Sequence, residues 1–471
     1  MSFASRLITL GSAGAGGATG FYTILGVPPG QEMNFCDLVI ASDDTIICGG
    51  NADNSKLFLA SFNTAGALQN TRYYYPSSGH FRKDNGVGMD INSSDKISIC
   101  FCDNTTSTRK GAGMVLNKDL TSYMSGNKFL TVGNRNWGSP DHNFFKSAIA
   151  DNNVFYWGGV WTDGGQNQFG SMQYDAANST QGHRTYTGYP STPYSFAWIS
   201  NTRVAMGINI DYPNSSGGFV VVIDSTDMVE TGGANTDWGK SIDFDGGGNT
   251  KLYIKDIRYD GTYLYSVSDS YDGNNSDDIA IAKFTGSNGT LQWAMRYTIS
   301  TGTNKIGGVQ ITIDSSGNIF FVAESAFNST DAIIFGKINS SGTAQFAHKI
   351  VPTSPYNRTN VNNGTFKSGI ACDSEGKVYI ATTWNNTDPY GDGTTADFDR
   401  PVLMKLDPDG NTVGTFTGVT ITAITISAIS NTHTIVNSSQ EIDVYNQYET
   451  PSQGTASTTT SVGGSYALTD L

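Results

Sequence analysis

Charge is scarce in this sequence and positive charge scarcer: Asp, Glu, Lys and Arg make up 15% of 471 residues, with 28 Lys plus Arg against 42 Asp plus Glu. The formal charge of −14 would repel a phosphate backbone or an anionic membrane surface, which argues against nucleic-acid binding. Cysteine is also sparse. Cys36, Cys48, Cys100, Cys102 and Cys372 are an odd set spread over a long chain, unlike a disulfide framework, and read as free thiols. Runs such as Ile97-Ser-Ile-Cys-Phe-Cys102 place them among core hydrophobes. No stretch approaches the roughly 20 apolar residues of a membrane-spanning helix, so no membrane insertion is expected. The N-terminal apolar segment is too short and broken for a signal-peptide h-region. Also missing are the Gly-x-Ser-x-Gly elbow, the Walker loop, the dinucleotide fingerprint and His-Glu-x-x-His. The five histidines, His80, His142, His183, His348 and His433, show no metal-ligand spacing. No catalytic residue and no cofactor is assigned from these absences. Paired carboxylates for glycoside hydrolysis are defined by their separation in space, so a polysaccharide-acting hydrolase stays open.

What is present is turn and strand chemistry: 55 Gly, 23 Tyr and 24 Phe, with 13 Pro. It is organised as an internal repeat. The clearest copy is Ile311-Thr-Ile-Asp-Ser-Ser-Gly-Asn-Ile-Phe-Phe-Val-Ala323, then Ala332-Ile-Ile-Phe-Gly-Lys-Ile-Asn-Ser-Ser-Gly-Thr-Ala-Gln-Phe-Ala-His348. β-branched and aromatic runs separated by Ser/Gly/Asn turns spell four short antiparallel strands, here called a to d. Copies begin near Ile257 and Ile370, with weaker ones through Val39, Met89, Ala148 and Phe196. Counterparts of Asp314 fall near Ala41, Asn92, Ala150, Ser200, Arg258 and Asp373, a period of about 55 residues. One small sheet per repeat cannot bury both faces alone, and radial stacking hides the strand edges. The expected fold is therefore all-β, a β-propeller of seven to eight four-stranded blades. Eight is the favoured count, with Ile424 to Ile435 and Glu441 to Tyr445 as a degraded last copy. The segment Phe21-Tyr-Thr-Ile-Leu-Gly26 resembles a spare strand d, comparable with Trp293-Ala-Met-Arg-Tyr297, and is expected to close the ring. The organisation read from this is a Gly-rich N-terminal anchoring arm over 1–20, the propeller over 21–448 and a polar C-terminal tail over 449–471.

The a-to-b and c-to-d turns are short, whereas the b-to-c and d-to-a connections are long and dissimilar. Long loops on a rigid scaffold are where binding usually resides. Trp161, Tyr271, Asp272, Trp384, Tyr390 and Asp392 are the candidate binding-loop residues, because aromatic faces with nearby amides and carboxylates suit protein contact or sugar stacking. Asp243, Asp245 and Asn249, spaced around glycines, form part of a calcium-loop pattern but lack its closing Glu. Solvated loops decorating the scaffold are the simpler account of any one of these residues.

The core Ile313-Asp-Ser-Ser-Gly-Asn-Ile-Phe-Phe-Val322 resembles the Asp-Ser-x-Gly-Asn repeats of bacterial and phage β-propellers, a likeness covering most of residues 35–448. The opening Ala4-Ser-Arg-Leu-Ile-Thr-Leu-Gly-Ser-Ala-Gly-Ala-Gly-Gly17, leading into Phe21, is similar to the start of structural proteins in tailed phages of aquatic bacteria, notably cyanophages. The resemblance implies a non-enzymatic virion component, in the tail or its appendages, assembled in the host cytoplasm. Its implied partners are other virion proteins, copies of itself and a host-surface glycan or receptor. The alternatives are a bacterial surface or secreted carbohydrate-binding propeller and a polysaccharide-acting propeller hydrolase.

Overall fold

The computed structural model describes residues 5–10, 20–25, 32–52, 56–76, 87–103, 110–123, 128–131, 143–163, 166–175, 181–186, 191–210, 217–224, 236–243, 251–271, 278–300, 306–325, 332–354, 356–357, 368–386, 398–429, 434–437, 444–446 and 452–460. Every regular element among the described residues is a strand, and the chain folds as an all-β propeller.

Two strands come first, β1 (Ser5–Leu10) and β2 (Gly20–Leu25). Four-stranded antiparallel meanders follow. The first is β3 (Asp37–Ile40), β4 (Ile46–Ala52), β5 (Lys56–Phe62) and β6 (Leu68–Pro76). The second is β7 (Gly88–Ile91), β8 (Lys96–Asp103), β9 (Lys110–Asn117) and β10 (Lys128–Thr131). Then come β11 (Asn143–Ile149), β12 (Val154–Asp163), β13 (Gln166–Asp175) and β14 (Gln181–Tyr186). The next is β15 (Ser191–Ser200), β16 (Arg203–Ile210), β17 (Gly217–Asp224) and β18 (Thr236–Asp243). It is followed by β19 (Lys251–Tyr259), β20 (Tyr263–Tyr271), β21 (Asp278–Thr285) and β22 (Leu291–Ile299). Last of this kind is β23 (Ile306–Ile313), β24 (Ile319–Ser325), β25 (Ala332–Ile338) and β26 (Ala344–Pro352).

The following group is built differently. The short β27 (Tyr356–Asn357) precedes β28 (Gly369–Cys372), β29 (Val378–Asn386) and β30 (Phe398–Leu406), and both β27 and β28 pair with β29. The place of a fourth strand is taken by β2, whose Phe21, Tyr22, Thr23 and Ile24 pair with Lys405, Met404, Leu403 and Val402. Outside it lies β1.

The remaining strands are β31 (Gly414–Phe416), β32 (Val419–Ile424), β33 (Ile426–Ile429), β34 (Thr434–Asn437), β35 (Val444–Asn446) and β36 (Ser452–Thr460). They form no meander of their own. β32 pairs with β26, β33 with β22, β34 with β18 and β35 with β14, while β36 lies between β10 and β6. The chain therefore retraces the meanders in reverse order along their outer edges. The stretch from Ile424 to Tyr445, expected to be a further repeat, is instead a series of single edge strands on different sheets. Its residues are small, polar and β-branched, fit for main-chain pairing, and those described in β33 are half-buried or exposed, too few to fill a sheet interior. Residues 452–460, expected within a polar tail, are β36.

The innermost strands β3, β7, β11, β15, β19, β23 and β28 pack in that order, and β28 returns to β3. The bonds at that return repeat those made elsewhere. Ser42 donates from its N–H and hydroxyl to Asp95 of the next meander, at 2.8 Å each. Ser374 donates in the same way to Asp44, at 2.9 and 2.8 Å. Asp44 and Asp95 occupy equivalent turn positions with φ of 61° and 56°. One apolar cluster unites Phe21 and Leu25 with Phe35, Leu38, Phe58, Tyr379 and Leu403. Phe21 sits against Gly66, whose φ of 80° and missing Cβ permit the contact, as Trp293 sits against Gly342.

Gly369 is a tighter case, since a Cβ there would lie 2.7 Å from Asp37 Cα and 2.8 Å from the Leu38 nitrogen. These are main-chain atoms that a rotamer change does not move. Gly369→Ala is expected to cost about 1–3 kcal/mol, the range for overpacking. A urea midpoint unchanged from the parent would contradict this close approach of β28 to β3.

Candidate functional site

The innermost strands carry charge where a core strand should be apolar. Asp37 lies on β3, Asp90 on β7, Lys146 on β11, Ser195 on β15, Asp256 and Arg258 on β19, and Gln310 on β23. Lys146, Ser195, Asp256 and Gln310 each directly follow an irregularity in the pairing of their strand, at 144/146, 193/195, 254/256 and 307/310. A bulge inserts an unpaired residue and re-aims the side chains beside it. The same local device thus recurs before these four polar positions.

Their bonds run from each strand to the next. Asp37 accepts from the Met89 N–H at 3.0 Å and from Leu38 at 2.9 Å. Asp90 accepts from the Ile149 N–H at 2.8 Å. Asp256 accepts from the Ser195 hydroxyl at 2.7 Å and the Ile311 N–H at 3.1 Å, and Ser195 Oγ in turn accepts from Ile257 at 3.0 Å. Lys146 Nζ is 3.5 Å and Arg258 Nε 3.3 Å from the Asp256 carboxylate. Asp37, Lys146, Ser195, Asp256 and Gln310 are all buried.

Among the described residues, three carboxylates, Asp37, Asp90 and Asp256, face two cations, Lys146 and Arg258. Burial pushes Asp90 up to about 6, against the pull of Arg258. Burial also raises Asp37, in spite of Lys146 and Arg258. Asp256 behaves oppositely: burial raises it, but Arg258, Lys146 and Ser195 outweigh that, and it titrates below the ordinary carboxylate range. The arrangement is a charge network in which burial raises two carboxylates, Asp37 and Asp90, while the neighbouring cations lower the third, Asp256.

A raised acid pKa means that the fold binds this proton more tightly than the unfolded chain does. Asp90 therefore adds stability as pH falls through about 6, fully so near its ordinary 3.8, and subtracts it above. Asp90→Asn keeps the amide-accepting oxygen without the charge. It is expected to stabilise by about 1–3 kcal/mol at pH 8 and by almost nothing at pH 4, read from denaturant midpoints across pH.

A second set of contacts lies towards the ends of the second strands. Asn209 brackets Ile254, accepting from its N–H at 2.7 Å and donating to its carbonyl at 3.0 Å. Ser368 donates to Glu324 at 2.9 Å. Thr383 Oγ1 accepts from the Phe35 N–H at 3.1 Å and donates to its carbonyl at 3.0 Å. Polar side chains in these positions serve the next meander rather than an open site. A cavity of about 20 Å³, lined by Val220, Ile254, Ser266, Ser268 and Ala280 among others, is the size of one water.

Of the residues expected to bind through loops, Trp384 needs correction. It lies within β29, fully buried, with its ring 5.2 Å from Tyr22 and 5.9 Å from Tyr356. β29 continues to Asn386, and β2 brings the aromatic partner that the local sequence does not show. Trp161 is in β12 opposite Gln168, and Tyr271 ends β20 opposite Lys251. Asp272, Tyr390 and Asp392 fall outside the described residues. Asp243 ends β18 opposite Thr434, while Asp245 and Asn249 are outside the described residues. No group of three His, Cys, Asp or Glu fit to hold a metal occurs among the described residues. The charge network was missed in the sequence, although charges inside apolar runs, as in Phe144-Phe-Lys-Ser-Ala-Ile149, are its visible signal.

No protein-family model matches the chain, and no curated protein matches it. Among solved structures, the chain is similar to the polysaccharide lyase Uly1, at 10% identity and a TM-score of 0.42, over 85% of this chain and 92% of that one. It is also similar to the PQQ-bound aldose sugar dehydrogenase of Streptomyces coelicolor, at 9% identity and a TM-score of 0.26, over 60% of this chain and 99% of that one. Similarities at this level carry no functional argument; the propeller stands on the strand pairings above.

Proposed function

We propose that the protein is a non-enzymatic binding scaffold, a closed ring of seven four-stranded blades whose long-loop face engages a surface glycan. Its setting is a tailed-phage particle, as a component of the tail or an appendage, in contact with other virion proteins. The observation that carries the reading is the commitment of the axial ionic groups: Asp37, Asp90 and Asp256 each accept a main-chain N–H from the following strand. Groups used in this way hold the ring together and leave recognition to the loops, whose Tyr, Asn and Asp content suits sugar stacking with amide hydrogen bonds. The virion setting is supported by the resemblance of residues 4–26 to phage structural proteins and by the buried cysteines Cys36, Cys48 and Cys100, which are in no disulfide. The test is binding of the purified protein to host-envelope polysaccharide, with product analysis of the same mixture and mass spectrometry of purified particles. Saturable binding without new chain ends, and the protein in particles, is the expected outcome.

A polysaccharide-acting enzyme would draw on Asp90, which burial pushes up to about 6, within the range useful to a general acid. That reading requires glycan turnover, and its loss in Asp90→Asn. Binding without turnover contradicts it.

A further inference from the structure

The strands β32 to β36 are held in two distinct ways. Val419 and Ile421 of β32 are buried in the apolar cluster with Tyr22, Phe335 and Ile350. Beyond them the side chains turn outward: Thr422 and Ala423 are exposed, and so are Ser427 and Ala428 of β33, while Ile426 and Ile429 are half-buried. What continues is main-chain pairing, with Arg296 to Ile299 of β22 opposite Ile429 to Ile426. The bond from the Ser300 N–H to the Thr425 carbonyl, at 2.9 Å, marks the passage from one regime to the other.

The sequence of this segment has the character of a strand donor. From Asn411 to Gln440 there is no Pro, Asp, Glu, Lys or Arg, and β36 is likewise uncharged. High β-propensity without charge or Pro is the composition that adds to open sheet edges, and in these two runs the gatekeeper residues that normally prevent this are missing, whereas Glu441, Asp443, Glu449 and Pro451 lie between them. The acceptor edges are the outer strands of successive meanders, each meeting one piece of the segment. Such pairing is specified mainly by backbone geometry, so the edges do not distinguish the chain's own segment from an identical one.

We propose that the outer edges of the ring are strand-acceptor sites, and that residues 426–460 of a second copy of this chain occupy them in trans, linking copies edge to edge. The segment pivots at Thr425, downstream of the anchored Val419 and Ile421. In dilute solution the segment seats on its own ring, because a short tether sets an effective concentration of about a millimolar. Where copies are held together at comparable density, exchange becomes competitive and makes a domain-swapped contact.

The test uses a chain ending at Thr425 and a fluorescent peptide spanning residues 426–460. The shortened ring is expected to self-associate in light scattering, to bind the peptide saturably and to return to monomer on doing so. The full-length ring should bind the same peptide at least tenfold more weakly, its edges being occupied. A shortened ring that folds, stays monomeric and ignores the peptide overturns the proposal. Full-length protein provides a second measurement that does not depend on the truncation folding. Two differently labelled batches, mixed at millimolar concentration and then diluted, should show energy transfer that decays slowly, and Ser427→Pro, which removes from an exposed residue the main-chain donor that the register aims at Thr298, should reduce it. Absence of transfer at millimolar concentration also overturns the proposal.

Discussion

A chain lacking residues 1–25 is expected to lose its cooperative unfolding transition. The deletion removes β2, whose Phe21, Tyr22, Ile24 and Leu25 are buried. At roughly 2 kcal/mol for each large apolar side chain, about 8 kcal/mol of burial goes with it. Whole-domain stabilities are about 5–15 kcal/mol, so the loss is comparable with the total. The Tyr22 hydroxyl also gives up its bond to the Thr417 carbonyl, and the edge of β30 loses its partner. A synthetic peptide of residues 1–26 should restore a cooperative transition in circular dichroism, because β2 meets β30 through main-chain pairing and side-chain burial, which a separate strand can supply. A truncated chain that melts cooperatively at the parent's midpoint would show that β2 contributes little.

The second large effect is expected at Asp256. Its carboxylate accepts from Ser195 and Ile311 and lies beside Lys146 and Arg258, all within 3.5 Å. Asp256→Ala leaves two cations near one another without their shared counter-charge. Removing one partner of a buried ionic group typically costs about 3–5 kcal/mol, far more than deleting a surface pair. Because the Asp256 carboxyl is held below its ordinary range, its contribution is present at neutral pH and lost as pH falls through that lowered value. Urea midpoints of the variant and parent at neutral pH should therefore differ by this amount and converge in acid. The sign is opposite to that expected for Asp90→Asn, although the two carboxylates share Arg258 as a neighbour. Opposite pH trends in two carboxylates of one network would be difficult to obtain from surface charges.

The strand pattern was legible in the sequence because its period is local. Ile311 to Ala323 shows two alternating runs and a turn, and Gly317 takes the positive φ that its Ser-Ser-Gly-Asn setting requires. The spare strand at Phe21 was legible for the same reason, since its spacing matched Trp293 to Tyr297. The fate of residues 419–460 was not. Edge pairing is made by the main chain, and a Thr/Ser/Ile run looks alike in a blade and along the outside of one. Trp384 was misplaced because its neighbours are Tyr22 and Tyr356, the first of which lies hundreds of residues away in sequence. The axial network was hidden differently: its members come from five separate strands, and only the bulges before Lys146 and Asp256 turn isolated charges towards one another.

Amide hydrogen exchange at the junction of β2 with β30 tests the central claim most directly. The account predicts that the paired amides within Phe21–Ile24 and Val402–Lys405 are protected to the same degree as those of β24 and β25, and that they open together with them in denaturant. Exchange of the β2 amides at the rate of an unstructured peptide, with β24 and β25 still protected, would contradict it.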